Sequence, residues 1–376
     1  VLIRDRPLFL DLEVGFVKMD GMRIARRFLI QHEQEQVFHV MSRVVDRQLM
    51  FDEEEKSVFQ RIMRQVETFS GCTVMTYCVM GNHFHILLRI PSRPEHISEA
   101  ELFRRLEAAY PRPRVEAWRQ QLAAWRSEGH EERINEFKGN MESRMHDLSS
   151  FMKMLKQRFT QFFNRRHCRK GTLWEERFKS LLVGREGYSI AGVAIYIERN
   201  PQRAGLADGP GHYPWTCLSE AKTGSTAATR GLQSILSPYL GPADRAQLLA
   251  YMESLVAMQA GSGNQTEKAR KSVEAFQGQP ISNRDSPTDT LEGSRGRPND
   301  RTIEDLMKMA GSRFAEKCLV LSRGIVMGTA DFVEKCRARI VGVSSRPGSH
   351  WNSDSGKTPD HHEIHFLRRL RILDSD

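Results

Sequence analysis

The chain has 376 residues and a formal net charge of +9, with 56 Lys and Arg against 47 Asp and Glu. That length suits a sizeable core and two units rather than one, and the basic excess points to a polyanionic partner, nucleic acid before a membrane surface. No apolar run is long enough to span a bilayer, no lipid-anchor signal is visible, and Asp5, Asp11 and Glu13 break up the apolar start, which therefore does not read as a signal peptide. The six cysteines (Cys72, Cys78, Cys168, Cys217, Cys318 and Cys336) are scattered without a C-x-x-C pair, so they read as reduced packing residues of a cytoplasmic protein and not as a zinc site or disulfide framework.

In chain order, residues 1–35 lack periodicity and read as an appendage. Val37 to Val45 reads as a strand. Asp52 to Phe69 reads as an amphipathic helix: its acidic first turn suits the helix dipole, Val58, Ile62 and Val66 recur one turn apart, and Gly71 ends it. A strand over Cys72 to Val79 follows, then a Gly81-Asn82 turn and a second strand beginning at His83. This β-α-β-β order suits a small antiparallel sheet with helices packed on one face and the other face free for chemistry. Residues 91–147, broken by Pro91, Pro94, Pro111 and Pro113, read as an insertion with helical stretches at Ser98–Tyr110 and Val115–Arg126.

A helix over Asp147 to Asn164 carries a basic bias. Lys153, Lys156, Arg158, Arg165 and Arg166 interleave with Phe151, Phe159, Phe162 and Phe163, and no acid falls between Asp147 and Glu175. The phenylalanines read as a core-facing stripe, while the cations fit contacts with phosphates. Gly171 to Val183 reads as a loop and then a strand. The helix from Tyr188 should end near Asn200, because the residue before Pro201 is pushed out of the α region. Residues 221–260 read as a helical extension. Residues 261–301, rich in Gly, Ser, Asn and Pro, read as a flexible linker, and 302–376 as a small C-terminal segment or a tail that docks back on the first unit.

The chemistry-bearing residues lie on two of these elements. Strand alternation places His83 and His85 on one face of the sheet and Phe84 in the core, and two imidazoles side by side can bind one metal ion. Tyr196 and Asn200 stand one turn apart on one helix face. A tyrosine hydroxyl can attack a phosphodiester, leaving a covalent phosphotyrosine and a free 3′-hydroxyl. The amide oxygen of Asn200 can complete a three-ligand site with His83 and His85, and such a mixed set admits Mg²⁺ and suits Mn²⁺ at least as well. Taken singly, each residue has a plainer reading: a half-exposed polar pair, a packing tyrosine, a helix C-terminal asparagine.

Together, Met80-Gly81-Asn82-His83-Phe84-His85, Gly171-Thr172-Leu173-Trp174 with Arg177-Phe178, and Tyr196-Ile197-x-x-Asn200-Pro201-x-Arg203-Ala204-Gly205 form a constellation. Phe38-His39-Val40-x-x-Arg43 and Tyr213-Pro214-Trp215 extend it. Over residues 36–220 the chain resembles the REP-associated tyrosine transposases, relatives of the single-tyrosine insertion-sequence transposases in the HUH endonuclease superfamily. The resemblance implies an α+β, ferredoxin-like or RNA-recognition-like sheet, metal ligands at His83, His85 and Asn200, and a nucleophile at Tyr196. It also implies cleavage of single-stranded DNA beside small hairpins, with a divalent metal, Mg²⁺ or Mn²⁺, as cofactor. Arg43, Arg177 and Arg203, which lie in the quoted motifs, join Lys153, Lys156, Arg158, Arg165 and Arg166 as expected DNA contacts. The expected partners are single-stranded DNA and DNA hairpins, with no membrane, for a monomer or homodimer in the cytoplasm. A non-catalytic nucleic-acid-binding module and a metal-dependent phosphodiesterase that uses water are the competing readings.

Overall fold

The fold is described from a computed structural model, which covers residues 34–185, 188–241, 243–258, 326–329, 332–333, 335–336 and 364–366. Strand β1 (Gln36–Arg43) leads through a short loop to helix α1 (Glu53–Ser70). Asp52 caps α1 in a capping box: its side chain accepts from the Glu55 backbone N–H, and Glu55 reaches back to the N–H of Asp52. Gly71 closes the helix in the left-handed conformation, φ 69°, which a residue without Cβ adopts cheaply. Strands β2 (Thr73–Val79) and β3 (His83–Ile90) form the hairpin expected around Gly81-Asn82.

The insertion folds as α2 (Glu99–Ala109), α3 (Arg112–Ser127) and α4 (Glu131–Glu142), of which the last was not anticipated. It docks on α1 through α2, with Tyr110 edge-on to Phe69 at 5.8 Å. Helix α5 (Leu148–Arg166), capped by Asp147, leads to strand β4 (Lys179–Val183). Then come α6 (Ser189–Glu198), the single turn α7 (Asn200–Arg203), α8 (Cys217–Lys222), α9 (Thr226–Leu240) and α10 (Arg245–Met258). Strands β5 (Val326–Thr329) and β6 (Ile364–Phe366) come from the C-terminal segment.

The sheet runs β2-β3-β1-β4-β5-β6. Its first four strands each run antiparallel to their neighbours, as the β-α-β-β pattern suggested, and with α1 and α5 as crossovers they take the ferredoxin-like order that the family resemblance implied. Strand β5 adds parallel to β4, and β6 adds antiparallel to β5, so two pieces of the C-terminal segment extend the same sheet. The expected appendage, apart from its last two residues, the linker at 261–301 and most of the segment 302–376 lie outside the described residues.

Helices α1 and α5 cover one face. There Phe59 lies 4.7 Å from Phe84 and 5.1 Å from Phe159, and Trp174 closes the layer at 5.5 Å from Phe84. The opposite face is not left bare, as the sequence suggested it would be. Helix α6 lies against β2 and β3 on that side, and α9 and α10 pack against α6. The reason is compositional: α6 is buried almost all round, and a helix apolar on every side needs protein on every side.

Candidate catalytic site on the histidine face

The register of β1 against β3 sets the site. Arg43 stands opposite His83, Met41 opposite His85 and His39 opposite Leu87. Directly opposed residues point to the same side, so His39, Met41, Arg43, His83 and His85 share the face that α6 covers. His39 and His85 stack at 5.2 Å, and His39 Nε2 lies 2.9 Å from His85 Nδ1. His83 stands edge-on to His85 at 5.1 Å.

Helix α6 brings Tyr196 to this cluster. Its ring lies 5.8 Å from His85 and 6.1 Å from His39, edge-on to both. Arg203, one helical turn beyond Asn200, sets its guanidinium 5.4 Å over the tyrosine ring. Asn200 turns its amide nitrogen back to the Tyr196 carbonyl at 2.9 Å and the Ile197 carbonyl at 3.3 Å. Its donors are thereby spent on the helix, and the amide oxygen is its acceptor end.

Burial holds the three histidines neutral at pH 7. The imidazole of His39 is pushed down to about 4 by burial, and that of His83 to about 4 by burial and then by the Arg43 guanidinium. His85 is pushed well below the ordinary histidine value by burial and by the neighbouring His39, His83, Arg43 and Arg203. Neutral imidazole is the form a metal ion takes. Among the described residues no three His, Cys, Asp or Glu side chains are arranged to hold a metal. By their chemistry, two imidazoles and an amide oxygen are donors that suit a divalent cation.

The turn that starts β3 is also tied down. Asn82 Nδ2 donates to the Arg47 carbonyl at 2.7 Å, and Asn82 Oδ1 lies 2.7 Å from His83 Nδ1. The Gly171–Trp174 motif runs alongside, with Val44 bridged to Trp174 and the Val45 N–H donating to the Leu173 carbonyl at 3.1 Å. The Tyr213-Pro214-Trp215 motif borders β2, where the Val79 N–H donates to the Trp215 carbonyl at 2.9 Å.

The cations divide into two groups. Arg203 lies over the tyrosine ring, and Arg43 stands beside His83 on the same face. Lys153, Lys156 and Arg177 line a groove of about 750 Å³ beside Trp174, on the side of the sheet that α5 covers. Lys156 lies 5.2 Å over the Trp174 ring and donates to the Glu176 carbonyl at 2.9 Å. Arg165 is exposed. Two of the expected phosphate contacts are engaged within the protein. Arg158 is half-buried over the Tyr110 ring at 5.0 Å. Arg166 forms ion pairs with Asp52, the cap of α1, and with Glu54 and Glu55 in its first turn. The sequence holds no acid near Arg166, but packing of α1 against α5 supplies three.

His39 and Asn82 lie in the quoted motifs, but the sequence assigned neither a role at the site. The signal for His39 was its position in an apolar strand, where a lone imidazole needs a partner. For Asn82 it was adjacency to His83.

Part of the chain matches a known family. Residues 33–123 match the family described as "Transposase IS200 like". The matched segment contains His39, Asn82, His83 and His85 and ends before Tyr196. No curated protein sequence matches the chain. Among solved structures, "Structure of the REP associates tyrosine transposase bound to a REP hairpin" is similar at 13% identity, over 54% of this chain and 87% of that one, with a TM-score of 0.35. The family match bears out the resemblance drawn from the motifs and supports a transposase role. Among the described residues no helix is long and apolar enough to cross a membrane.

Proposed function

We propose that the chain is a transposase-type endonuclease that nicks and rejoins single-stranded DNA beside hairpin repeats, with Tyr196 as nucleophile. The observation that carries this reading is the seating of Tyr196 against His85 and His39 on the face that also holds His83. A tyrosine within a buried histidine cluster, under a guanidinium, is costly as mere packing and apt as a reacting group.

In the cutting step the Tyr196 oxygen forms a bond to phosphorus and the bond from phosphorus to the 3′-oxygen breaks. The phenolic proton is lost to solvent or substrate, the 3′-oxygen gains a proton, and a 5′-phosphotyrosine remains. Because a phenol with a pKa of about 10 is a better leaving group than an alcohol, a second 3′-hydroxyl can reverse the step and rejoin the strand without ATP. Arg203 and Arg43 supply positive charge where the phosphodiester would sit. His83, His85 and Asn200 would hold a divalent cation, Mg²⁺ or Mn²⁺, which supplies Lewis-acid polarisation of a phosphoryl oxygen when bound. Lys153, Lys156, Arg165 and Arg177 would follow the DNA backbone on the α5 side, away from the cut.

The test is end-labelling. A hairpin with a single-stranded flank, labelled 3′ of the cut, is incubated with Mn²⁺ and run under denaturing conditions. The label should migrate with the protein, and the other fragment should end in a 3′-hydroxyl. A released 5′-phosphate with no adduct would assign the reaction to water and overturn the reading.

A further inference from the structure

The turn before His83 carries a device that the proposed reaction does not itself require. Gly81-Asn82 is zipped to the loop Val44–Phe51: the Val44 N–H donates to the Asn82 carbonyl, and the Met50 and Phe51 N–H groups both donate to the Gly81 carbonyl, each at 2.9 Å. That loop holds two consecutive non-glycine residues, Asp46 and Arg47, in the left-handed region at φ 56°. Such a pair is strained and persists only where the surroundings hold it. The carbonyl of the second of these residues is the one that receives the Asn82 amide nitrogen at 2.7 Å.

The polarity of the bridge follows from its ends. A peptide carbonyl only accepts, so the nitrogen of the Asn82 amide must face Arg47. The amide oxygen then faces His83 Nδ1 at 2.7 Å, and it too only accepts. His83 Nδ1 must therefore carry the hydrogen, and the lone pair lies at Nε2. We propose that Asn82 is a positioning residue that locks His83 in the Nδ1–H tautomer and so presents Nε2 to a divalent cation. This rests on the reading of His83 as a metal ligand. Unconstrained neutral histidine favours the opposite tautomer, hydrogen on Nε2, in which the ring offers no lone pair at its outer end. The strained loop fixes the carbonyl, the carbonyl fixes the amide, and the amide fixes the ring, as an outer partner does for a ligating imidazole.

The experiment uses the full chain labelled with ¹⁵N-histidine. In the metal-free protein, long-range ¹H–¹⁵N spectra should show His83 with a protonated Nδ1 and an unprotonated Nε2. Asn82→Ala should shift His83 toward the Nε2–H form and weaken Mn²⁺ binding, followed by electron paramagnetic resonance, by about 10- to 100-fold. Asn82→Asp keeps an acceptor toward His83 and should retain the Nδ1–H tautomer and most of the Mn²⁺ affinity, although it loses the donor to Arg47. A residue that only braced the turn would move neither the tautomer nor the difference between the two variants. A wild-type His83 with its hydrogen on Nε2, or a tautomer unchanged in Asn82→Ala, overturns the lock. An intact Nδ1–H tautomer in a wild-type protein that binds no Mn²⁺ overturns the ligand reading and leaves the lock standing. The wild-type spectrum alone can overturn the lock, so the test survives if Asn82→Ala does not fold.

Discussion

Phe84 and His85 are neighbours in the chain and face opposite sides of one strand. On the Phe84 side, Phe59, Phe159 and Trp174 close a dry aromatic layer that joins α1 and α5 to the sheet. On the His85 side, His39 and His85 are each 3% exposed, as deeply enclosed as much of that layer, yet both are polar. Burying an imidazole costs free energy unless it finds a partner, and the 2.9 Å contact between the two rings offsets part of that cost. Equal burial therefore has unequal meaning. The phenylalanine face should account for most of the stability, and the histidine face for most of the activity.

Substitutions that cross this division test it, and the largest effect belongs to the histidine face. His83→Ala or His85→Ala should lower metal-dependent cleavage at least ~100-fold, with Asn200→Ala less severe because water can replace one amide ligand. Cleavage undiminished in EDTA would contradict the metal role. Next comes Phe84→Ala, which removes a ring at the centre of the aromatic layer. It should cost about 3–5 kcal/mol of unfolding free energy in urea titrations, well above the cost of His85→Ala. If the two costs came out equal, the stability of the sheet would not reside on one face.

A third effect comes from a buried histidine on the helix side. His146 takes a hydrogen bond from Arg105, and its imidazole is pushed down to about 4 by burial, then by Arg105 and Arg93. The unfolded chain binds that proton more tightly than the folded one, so this contribution is complete above pH about 6.5 and is lost as the pH falls toward 4. His146→Gln keeps an acceptor for Arg105 and should remove about 1–3 kcal/mol of the acid-induced loss, read from melting temperatures between pH 7 and 4.5. An unchanged acid profile would assign the loss to other groups. The smallest effect concerns the cations. Replacing Lys153, Lys156 and Arg177 with alanine should flatten the salt dependence of DNA binding by about 0.7–0.9 in log–log slope per lost contact. Arg166→Ala should leave that slope unchanged, because Arg166 is already paired with α1.

Much of this was legible one residue at a time. The acids from Asp52 to Glu55 announce a helix start, Gly71 a helix stop, and the alternation around Phe84 a strand with the histidines on one side and the phenylalanine on the other. Tyr196 and the two histidines carry their chemistry in their side chains. What the sequence withheld depends on register and on contacts between distant segments. His39 meets His85 only because β1 pairs with β3 at one offset among several that an apolar strand allows. Arg166 looked available because its three acids lie more than a hundred residues earlier. The lock on His83 required a bend at Asp46 and Arg47 that no residue type there advertises, since neither is a glycine.

The central claim is that Tyr196 forms the covalent bond to DNA, and one comparison tests it most directly. Wild-type protein and Tyr196→Phe are each incubated with a single-stranded hairpin substrate and Mn²⁺, denatured, digested with protease and analysed by mass spectrometry. The phenylalanine variant keeps the ring that packs against His85 and loses only the hydroxyl. The account predicts a nucleotide-bearing peptide containing Tyr196 in the wild type, and no adduct and no cleavage in the variant, with hairpin binding within a few-fold of normal. Cleavage by the variant at the wild-type rate, or an adduct on a peptide without Tyr196, would contradict it.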